Sequence, residues 1–491
     1  MEMYIAEKKS LGVKVANALG GGNLSNGFID GGAWRVYFCR GHILEMLAPK
    51  DYNPAWEKWD GDALPMIPSE WNLKPKEDVK HLLELIEDGL KTASMVVNVD
   101  DADREGQLLV DEVLEYLNWQ GTTKRLWFSD QSQTYINKNI GKLEGNEKYA
   151  GLRNQALARS RADWVIGLNS TRAYTINARK QGIDELLSIG RVQTPTLALI
   201  VNRDLAIENF VSQPFYEIMG EFKCETGYFE HETYQGKLNI SDELKNEHGY
   251  FTNEALANEI IATLGNETDA TIADVQKKQK KNKQPLCFSK SDLVEQCYKE
   301  FGYDGDKVLE IAQSLYDKHE ATTYPRTDCG YLPESAHSEA PVLLNNLSTI
   351  ADYKESVSNA DATIKAHTWN DSKLTAHDGI RPTESVNVDT YYKMSQEEKN
   401  VFGVIAKRYI AQFYGEQVID ETVFNTTVNE HTFTTKGAVI IDRGWTVLYP
   451  DKKKKETTLP KVDNGNKVTI NKIERVDKKT SPPKHFNDGN H

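Results

Sequence analysis

The chain has 491 residues, 39% hydrophobic and 27% charged, with a formal net charge of −14. That length exceeds a single core and implies about three or four domains, and no apolar run approaches the roughly 20 residues needed to cross a bilayer. The N-terminus, with Glu2, Glu7 and Lys8 around a short strand, is not a secretory leader, so a cytoplasmic protein is expected. The five cysteines, Cys39, Cys224, Cys287, Cys297 and Cys329, include no Cys-x-x-Cys pair, which argues against zinc and suits a reducing compartment.

In chain order, Met3-Tyr4-Ile5-Ala6 reads as a short strand that ends in Glu7 and Lys8 and leads into a helical stripe of Leu11, Val15 and Leu19. The turn Gly20-Gly21-Gly22 is too short to cradle a nucleotide and lacks a following Lys-Ser/Thr, so it is no P-loop, and nothing else suggests use of ATP. Residues 34–39 are strand-like. Residues 95–99 are apolar, β-branched and few, as in a buried parallel strand, and run into Asp101, Asp103 and Glu105. Alternate spacing along an extended segment sets these three carboxylates on one side, where they repel unless a divalent cation sits among them. Hard oxygen ligands favour Mg2+, or Mn2+, over zinc. Asp100 breaks the spacing and reads as a bystander. The stretch from Gly106 to Trp119 reads as a helix with Leu109, Val113 and Leu117 on one stripe. Acids at a strand's carboxyl end, leading into a helix, hold the usual ligand position of an open α/β sheet; the plain alternative is a solvated acidic turn that caps the helix. Residues 1–148 thus form an α/β domain with a mainly parallel sheet.

Residues 149–212 read as helical, with Arg153, Arg159 and Arg161 spread among apolar positions. Arginines beside Trp164 and Tyr174 could track a single nucleic-acid strand, guanidinium to phosphate and ring to base; for Trp164 a core position is favoured. Asp163, beside Arg161, is left open between an ion pair and a contact to a base edge. Residues 213–280 and 410–481 are β-rich, with strand-like runs at 215–222, near 228–240, at 422–428 and at 432–435. The lysine runs at 277–283 and 452–455 read first as solvated charge, the first joining the β segment to the next domain, with weak duplex contact as the alternative.

Between the β-rich segments, residues 281–409 begin with a helix capped by Ser289, with Leu293, Cys297 and Tyr298 inward, and continue with a second from Gly305 to His319. They lead to Ala-Thr-Thr-Tyr-Pro-Arg-Thr-Asp at 321–328. Pro325 pushes Tyr324 out of helical geometry, so its hydroxyl can be presented on an extended segment. A phenol of pKa about 10 is a poor nucleophile at neutral pH unless a cation stands beside it, and Arg326 is of the right type. Alone, the pattern also fits a core tyrosine in a proline turn.

Glu7 at one strand end and the acids at 101–105 at another resemble the Toprim domain, shared by topoisomerases, bacterial primases and some nucleases. With Tyr-Pro-Arg-Thr-Asp at 324–328, the resemblance narrows to the type IA DNA topoisomerases, above all the bacterial topoisomerase III branch. Further stretches carry it: Gly41-His42-Ile43-Leu44-Glu45, Ser160-Arg161-Ala162-Asp163-Trp164, Ser188-Ile189-Gly190-Arg191-Val192-Gln193, and Ala376-His377-Asp378-Gly379-Ile380-Arg381-Pro382-Thr383. The resemblance implies a multidomain α/β plus α+β protein. A Toprim domain would occupy 1–148, a helical strand-binding domain 149–212, a β-rich arch 213–280 with 410–481, and a winged-helix-like domain 281–409. It implies ATP-independent cleavage of one strand through a 5′-phosphotyrosine at Tyr324, strand passage and religation. Arg326 and Lys8 would contact the phosphate, His377 would contact it or position the nucleophile, Glu7 would serve as general acid, and Glu7, Asp101, Asp103 and Glu105 would hold Mg2+. Arg161, Asp163, Arg172, Ser188, Arg191, Gln193 and Arg381 would meet DNA. At a net charge of −14, binding single-stranded or negatively supercoiled DNA requires a basic path between acidic outer faces. In the family, a stretch like Pro482-Pro483-Lys484-His485-Phe486 introduces a further helical region. The expectation is therefore a shortened chain with 482–491 as a stub, acting as a monomer or joined by a second polypeptide, with apolar faces of 149–212 uncovered. A Toprim-type nuclease or primase, and a non-catalytic strand-binding protein, are the alternatives.

Overall fold

The computed structural model describes residues 1–127, 133–224, 232–374, 377–449 and 459–489. Its N-terminal part is built on seven strands in the order Asn23–Leu24, Phe28–Asp30, Trp34–Phe38, Glu2–Ala6, Met95–Asn98, Thr122–Leu126 and Leu143–Gly145. The middle four run parallel and the outer ones antiparallel. Successive side chains of a strand point to opposite faces. Met3 and Ile5 therefore join Tyr37, Ile86 and Val113 in one core, while Tyr4 and Ala6 join Leu11, Val15 and Val97 in the other. Helices cover both faces, which is why these strands read as unbroken apolar runs. Glu7 and the acids after Val99 lie at the carboxyl ends of two adjacent central strands, because Glu2–Ala6 pairs directly with Met95–Asn98.

The helix Ala150–Lys180 extends for 31 residues and buries only Ala156, Trp164, Arg172, Thr175 and Ala178. The helix Gln193–Glu208 buries none, and Leu197, Leu199, Ile200, Val201 and Leu205 stand exposed on it. The closing segment runs back along it: Arg203 Nη1 donates to the Lys484 carbonyl and its guanidinium lies 3.9 Å from the Phe486 ring centre.

The two β-rich stretches make one closed barrel in the order Pro214–Cys224, Thr233–Leu238, His431–Asp442, Gln417–Val428, Asp269–Asn282 and Lys467–Lys479, the last pairing back onto the first. Phe222, Tyr234, Phe424 and Phe433 fill it, with Ala257 and Leu264 of the helix Glu254–Leu264 in the same core. Lys277, Lys278, Lys280 and Lys281 are exposed positions at the end of the strand Asp269–Asn282, which leads into the next domain, and pair with residues 418–422. The run at 452–455 and part of the 228–240 stretch lie outside the described residues.

Residues 281–409 pack around one core that includes Leu293, Cys297, Val308, Leu315, Phe402 and Tyr409, drawn from the helices Lys290–Phe301, Gly305–Asp317 and Gln396–Ile410. Tyr298 is only half-buried. The extended backbone here amounts to isolated bridges among the described residues, two of which, Thr322 with Pro382 and Phe288 with Ile380, tie the tyrosine segment's surroundings together.

Candidate active site

Three chain segments meet at one pocket. Val99 continues the strand ladder by donating to the Ile5 carbonyl at 3.0 Å, so the turn that follows is delivered beside Glu7. Asp103 N–H then donates back to the Asp101 carbonyl at 2.8 Å, and the Asp103 side chain caps the helix Arg104–Tyr116 by accepting from Gly106 N–H at 2.7 Å. Gly106 is required by close approach: a Cβ there would lie 2.5 Å from the Asp101 carbonyl oxygen. From the opposite side comes Tyr324, 6% exposed, whose hydroxyl donates to Asp103 Oδ2 at 2.9 Å across 221 positions of sequence. Its segment is held by Thr323, whose N–H donates to the Arg381 carbonyl at 2.9 Å and whose hydroxyl donates to the Gly379 carbonyl at 3.0 Å. The Tyr324 ring packs edge-on against Tyr316 at 5.5 Å and lies 4.7 Å from the His377 ring.

Burial, with the charges of Asp103 and Asp101, pushes the Tyr324 phenol well above its usual value; Arg326 pulls the other way. Burial also raises Asp101 to about 7, with Glu7 and Asp103 adding to the rise and Lys8 opposing it. Glu7 is raised by burial and by Asp103, against Lys8 and His42. His377, nearly buried, is pushed below the ordinary imidazole value by burial, against Asp103 and Asp328, and is neutral at pH 7. Burial, with the neighbouring charges, thus makes Glu7 and Asp101 resist ionisation.

Glu105 departs from the expected set. The chain turns helical at Arg104, so alternate spacing ends at Asp103 and the next acid swings away. Its carboxylate accepts from Arg159 at 3.1 Å and lies 3.8 Å from His42 Nε2. Among the described residues no three carboxylate, imidazole or thiolate groups converge as a ready metal cage. Glu7, Asp101 and Asp103 nevertheless share one pocket and one electrostatic strain, all through hard oxygens, which fits a hard divalent cation that keeps part of its water.

Sequence reasoning missed Arg125 and undervalued Asp100. Arg125 is fully buried at the end of its strand and donates to Asn98 Oδ1 at 2.5 Å and to the Asp101 carbonyl at 2.6 Å. Asp100 is fully buried between Glu7 and Arg125. Arg125 thus pins the acid-bearing turn from beneath. No periodicity or motif marks them, since a lone arginine on a strand reads as a surface residue.

The expected DNA-contacting residues divide. Ser188, Arg191 and Gln193 are exposed near the start of the helix Gln193–Glu208, and Arg191 Nε donates to Asp163 at 2.8 Å, which takes the ion-pair reading for Asp163. Arg161 is half-buried, its guanidinium 5.4 Å from the Trp71 ring centre. Arg172 is buried, donating to the Trp56 carbonyl at 2.6 Å and stacking on Trp59, so its part is packing rather than strand contact. Arg381 is buried on Glu339 at 3.0 Å and holds the segment that faces the tyrosine. Trp164 is in the core, its Nε1 donating to the Leu47 carbonyl. Arg159 and Arg191 are matched by Glu105 and Asp163, so the basic path is interleaved with acids rather than continuous.

A Toprim-domain model matches residues 2–131, and a DNA topoisomerase model matches residues 147–490. DNA topoisomerase 3 of Haemophilus influenzae is 34% identical over 99% of this chain and 77% of its own length. That of Pasteurella multocida is 35% identical over 99% and 78%. The structure of full-length topoisomerase I from Thermotoga maritima superposes with a TM-score of 0.67 at 19% identity, covering 99% of this chain and 73% of that one. The chain belongs to the type IA DNA topoisomerases.

Proposed function

We propose that Tyr324 is the nucleophile that opens one DNA strand, becoming esterified to the 5′ phosphate, and that the pocket of Glu7, Lys8, Asp101 and Asp103 receives the 3′ end. The observation that carries this is the 2.9 Å hydrogen bond from the Tyr324 hydroxyl to Asp103, which joins the two halves of the site across 221 positions. In the attack the phenol oxygen bonds to phosphorus as the 3′ oxygen leaves; religation is the reverse. One phosphodiester replaces another of similar energy, so no ATP is consumed.

The roles follow from position. Asp103 holds the phenol in place and stands ready to receive its proton. Glu7, raised by burial, supplies a proton to the leaving 3′ oxygen. Arg326, exposed at the rim, and Lys8 meet the phosphate charge, Arg326 with a planar fork of donors. His377, neutral and packed on the ring, fixes its orientation. Asp101 and Asp103, with Glu7, would hold Mg2+, whose charge relieves the carboxylate repulsion and offsets that of the phosphate. Ser188, Arg191 and Gln193, all exposed, would contact the single strand, with Arg191 bonded to Asp163 and Arg161 also taking part. Single-stranded DNA, exposed by negative supercoiling, is the substrate.

The test is trapping. Denaturant added to the chain with a labelled single-stranded oligonucleotide and Mg2+ should yield a covalent adduct that maps to Tyr324. Tyr324→Phe should give none while binding the strand with unchanged affinity. An adduct at another residue would end the assignment.

A further inference from the structure

We infer that Asp317 is a positioning residue for Lys8, holding its ammonium where it meets the phosphate; the inference rests on the Tyr324 reading above. Lys8 leaves the N-terminal sheet and crosses to the other half of the site, where its Nζ donates to Asp317 Oδ1 at 2.8 Å across 309 positions. An ion pair this exposed, with side chains 28% and 33% open, holds little by itself. What distinguishes it is the fixing of both partners. The other oxygen of Asp317 accepts from Gln313 Nε2 at 2.6 Å, one turn back on the helix Gly305–Asp317. Lys8 Nζ lies 5.8 Å from the ring centre of Tyr316, which is buried and packs edge-on against Tyr324. A second crossing pair, Lys14 with Glu320 at 2.9 Å, seats the chain just beyond that helix on the helix Lys9–Ala18 of the N-terminal domain.

The last turn of one helix therefore carries a cradle for Lys8, immediately behind the nucleophile. Asp317 also borders the cleft of about 450 Å3 that Arg326 lines, so the residue that holds Lys8 and the second cation share one wall. An ammonium has three donors and no fixed fork. Asp317 engages one and leaves the others for phosphate oxygens. Without Asp317 the flexible lysine stem keeps only the diffuse attraction of Asp101 and Glu7, and the ammonium would no longer be fixed in one place to meet the phosphate.

The experiment uses the full chain, with single-turnover adduct formation on a single-stranded oligonucleotide and strand affinity measured in parallel. Asp317→Ala should slow adduct formation about tenfold, the scale of one lost charged hydrogen bond, with affinity within about twofold. Asp317→Glu should restore most of the rate. In a Lys8→Ala background, Asp317→Ala should cost nothing further, because the two act through one contact. Acylation of Lys8 by a limiting amine reagent, read by peptide mass spectrometry without DNA, should rise several-fold in Asp317→Ala. An equal cost with and without Lys8, a wild-type rate, or unchanged Lys8 acylation would each overturn the inference. Absence of any adduct in the unaltered chain would instead overturn the Tyr324 reading, and is told apart because the acylation difference persists.

Discussion

Tyr324 and Asp103 are each unremarkable alone: a tyrosine before a proline, and an aspartate that caps a helix. Their contact makes them a site, and the surrounding charges give each neighbour a testable part. Arg326→Ala should lower the cleavage rate by about 10²–10³, as loss of one preorganised donor does, with little change in strand affinity; a normal relaxation rate would remove Arg326 from the mechanism. Arg172 and Arg191 should behave oppositely. Arg172→Ala loses the Trp59 stack and the bond to the Trp56 carbonyl, so it should lower the melting temperature and leave the salt dependence of strand binding unchanged. Arg191→Ala should leave stability unchanged and reduce the slope of log affinity against log salt by roughly 0.7, the contribution of one phosphate contact. At this scale the sequence marked Glu7, Lys8, Asp101, Asp103 and Tyr324 through strand-end position and motif. It misplaced Glu105 because a helix began one residue earlier than alternate spacing allowed. It misplaced Arg172 and Arg381 because charge in a matching stretch says nothing of burial.

Elements position these residues, and their ends are where small changes matter. The turn between the strand Met95–Asn98 and the helix Arg104–Tyr116 has no room for a side chain at Gly106. Gly106→Ala should displace the Asp101 carbonyl, cost about 1–3 kcal/mol in urea unfolding, and slow religation more than strand binding. At the helix Gln396–Ile410, burial raises the Glu398 carboxyl, but the Ser314 hydroxyl, the Ser395 N–H and the His319 ring outweigh it and hold it at about 2. A carboxyl held below its unfolded value contributes stability that is complete above about 4.5 and is lost as pH falls toward 2. Glu398→Gln should therefore cost on the order of 1–2 kcal/mol at pH 7 and progressively less in acid, with the two unfolding curves converging near pH 2. Ser395 and Glu398, three residues apart, cap this helix reciprocally. The bonds from Ser314 and His319 come from roughly 80 positions away, which no local pattern announces.

The whole molecule is organised by one closure. Two chain stretches separated by the entire tyrosine-bearing domain complete a single barrel, with Lys467–Lys479 sealing it against Pro214–Cys224 along eleven paired positions. A chain nicked at Asn359, in an exposed turn of that domain, should therefore stay together on gel filtration and separate only in denaturant; separation under native conditions would contradict the closed order of strands. The exposed apolar face of Gln193–Glu208 is the counterpart at the opposite extreme, a helix that buries none of its residues, as the expectation of uncovered apolar faces over 149–212 had it. By itself the sequence determined the local parts: which runs are strands or helices, which acids end a strand, and which tyrosine a proline holds extended, since all of these follow from neighbours a few residues apart. Only the tertiary structure decided which parts meet. Tyr324 on Asp103, Lys8 on Asp317, Arg125 beneath Asp101 and the barrel's seal join positions from 24 to more than 300 apart, and no local preference encodes such pairings.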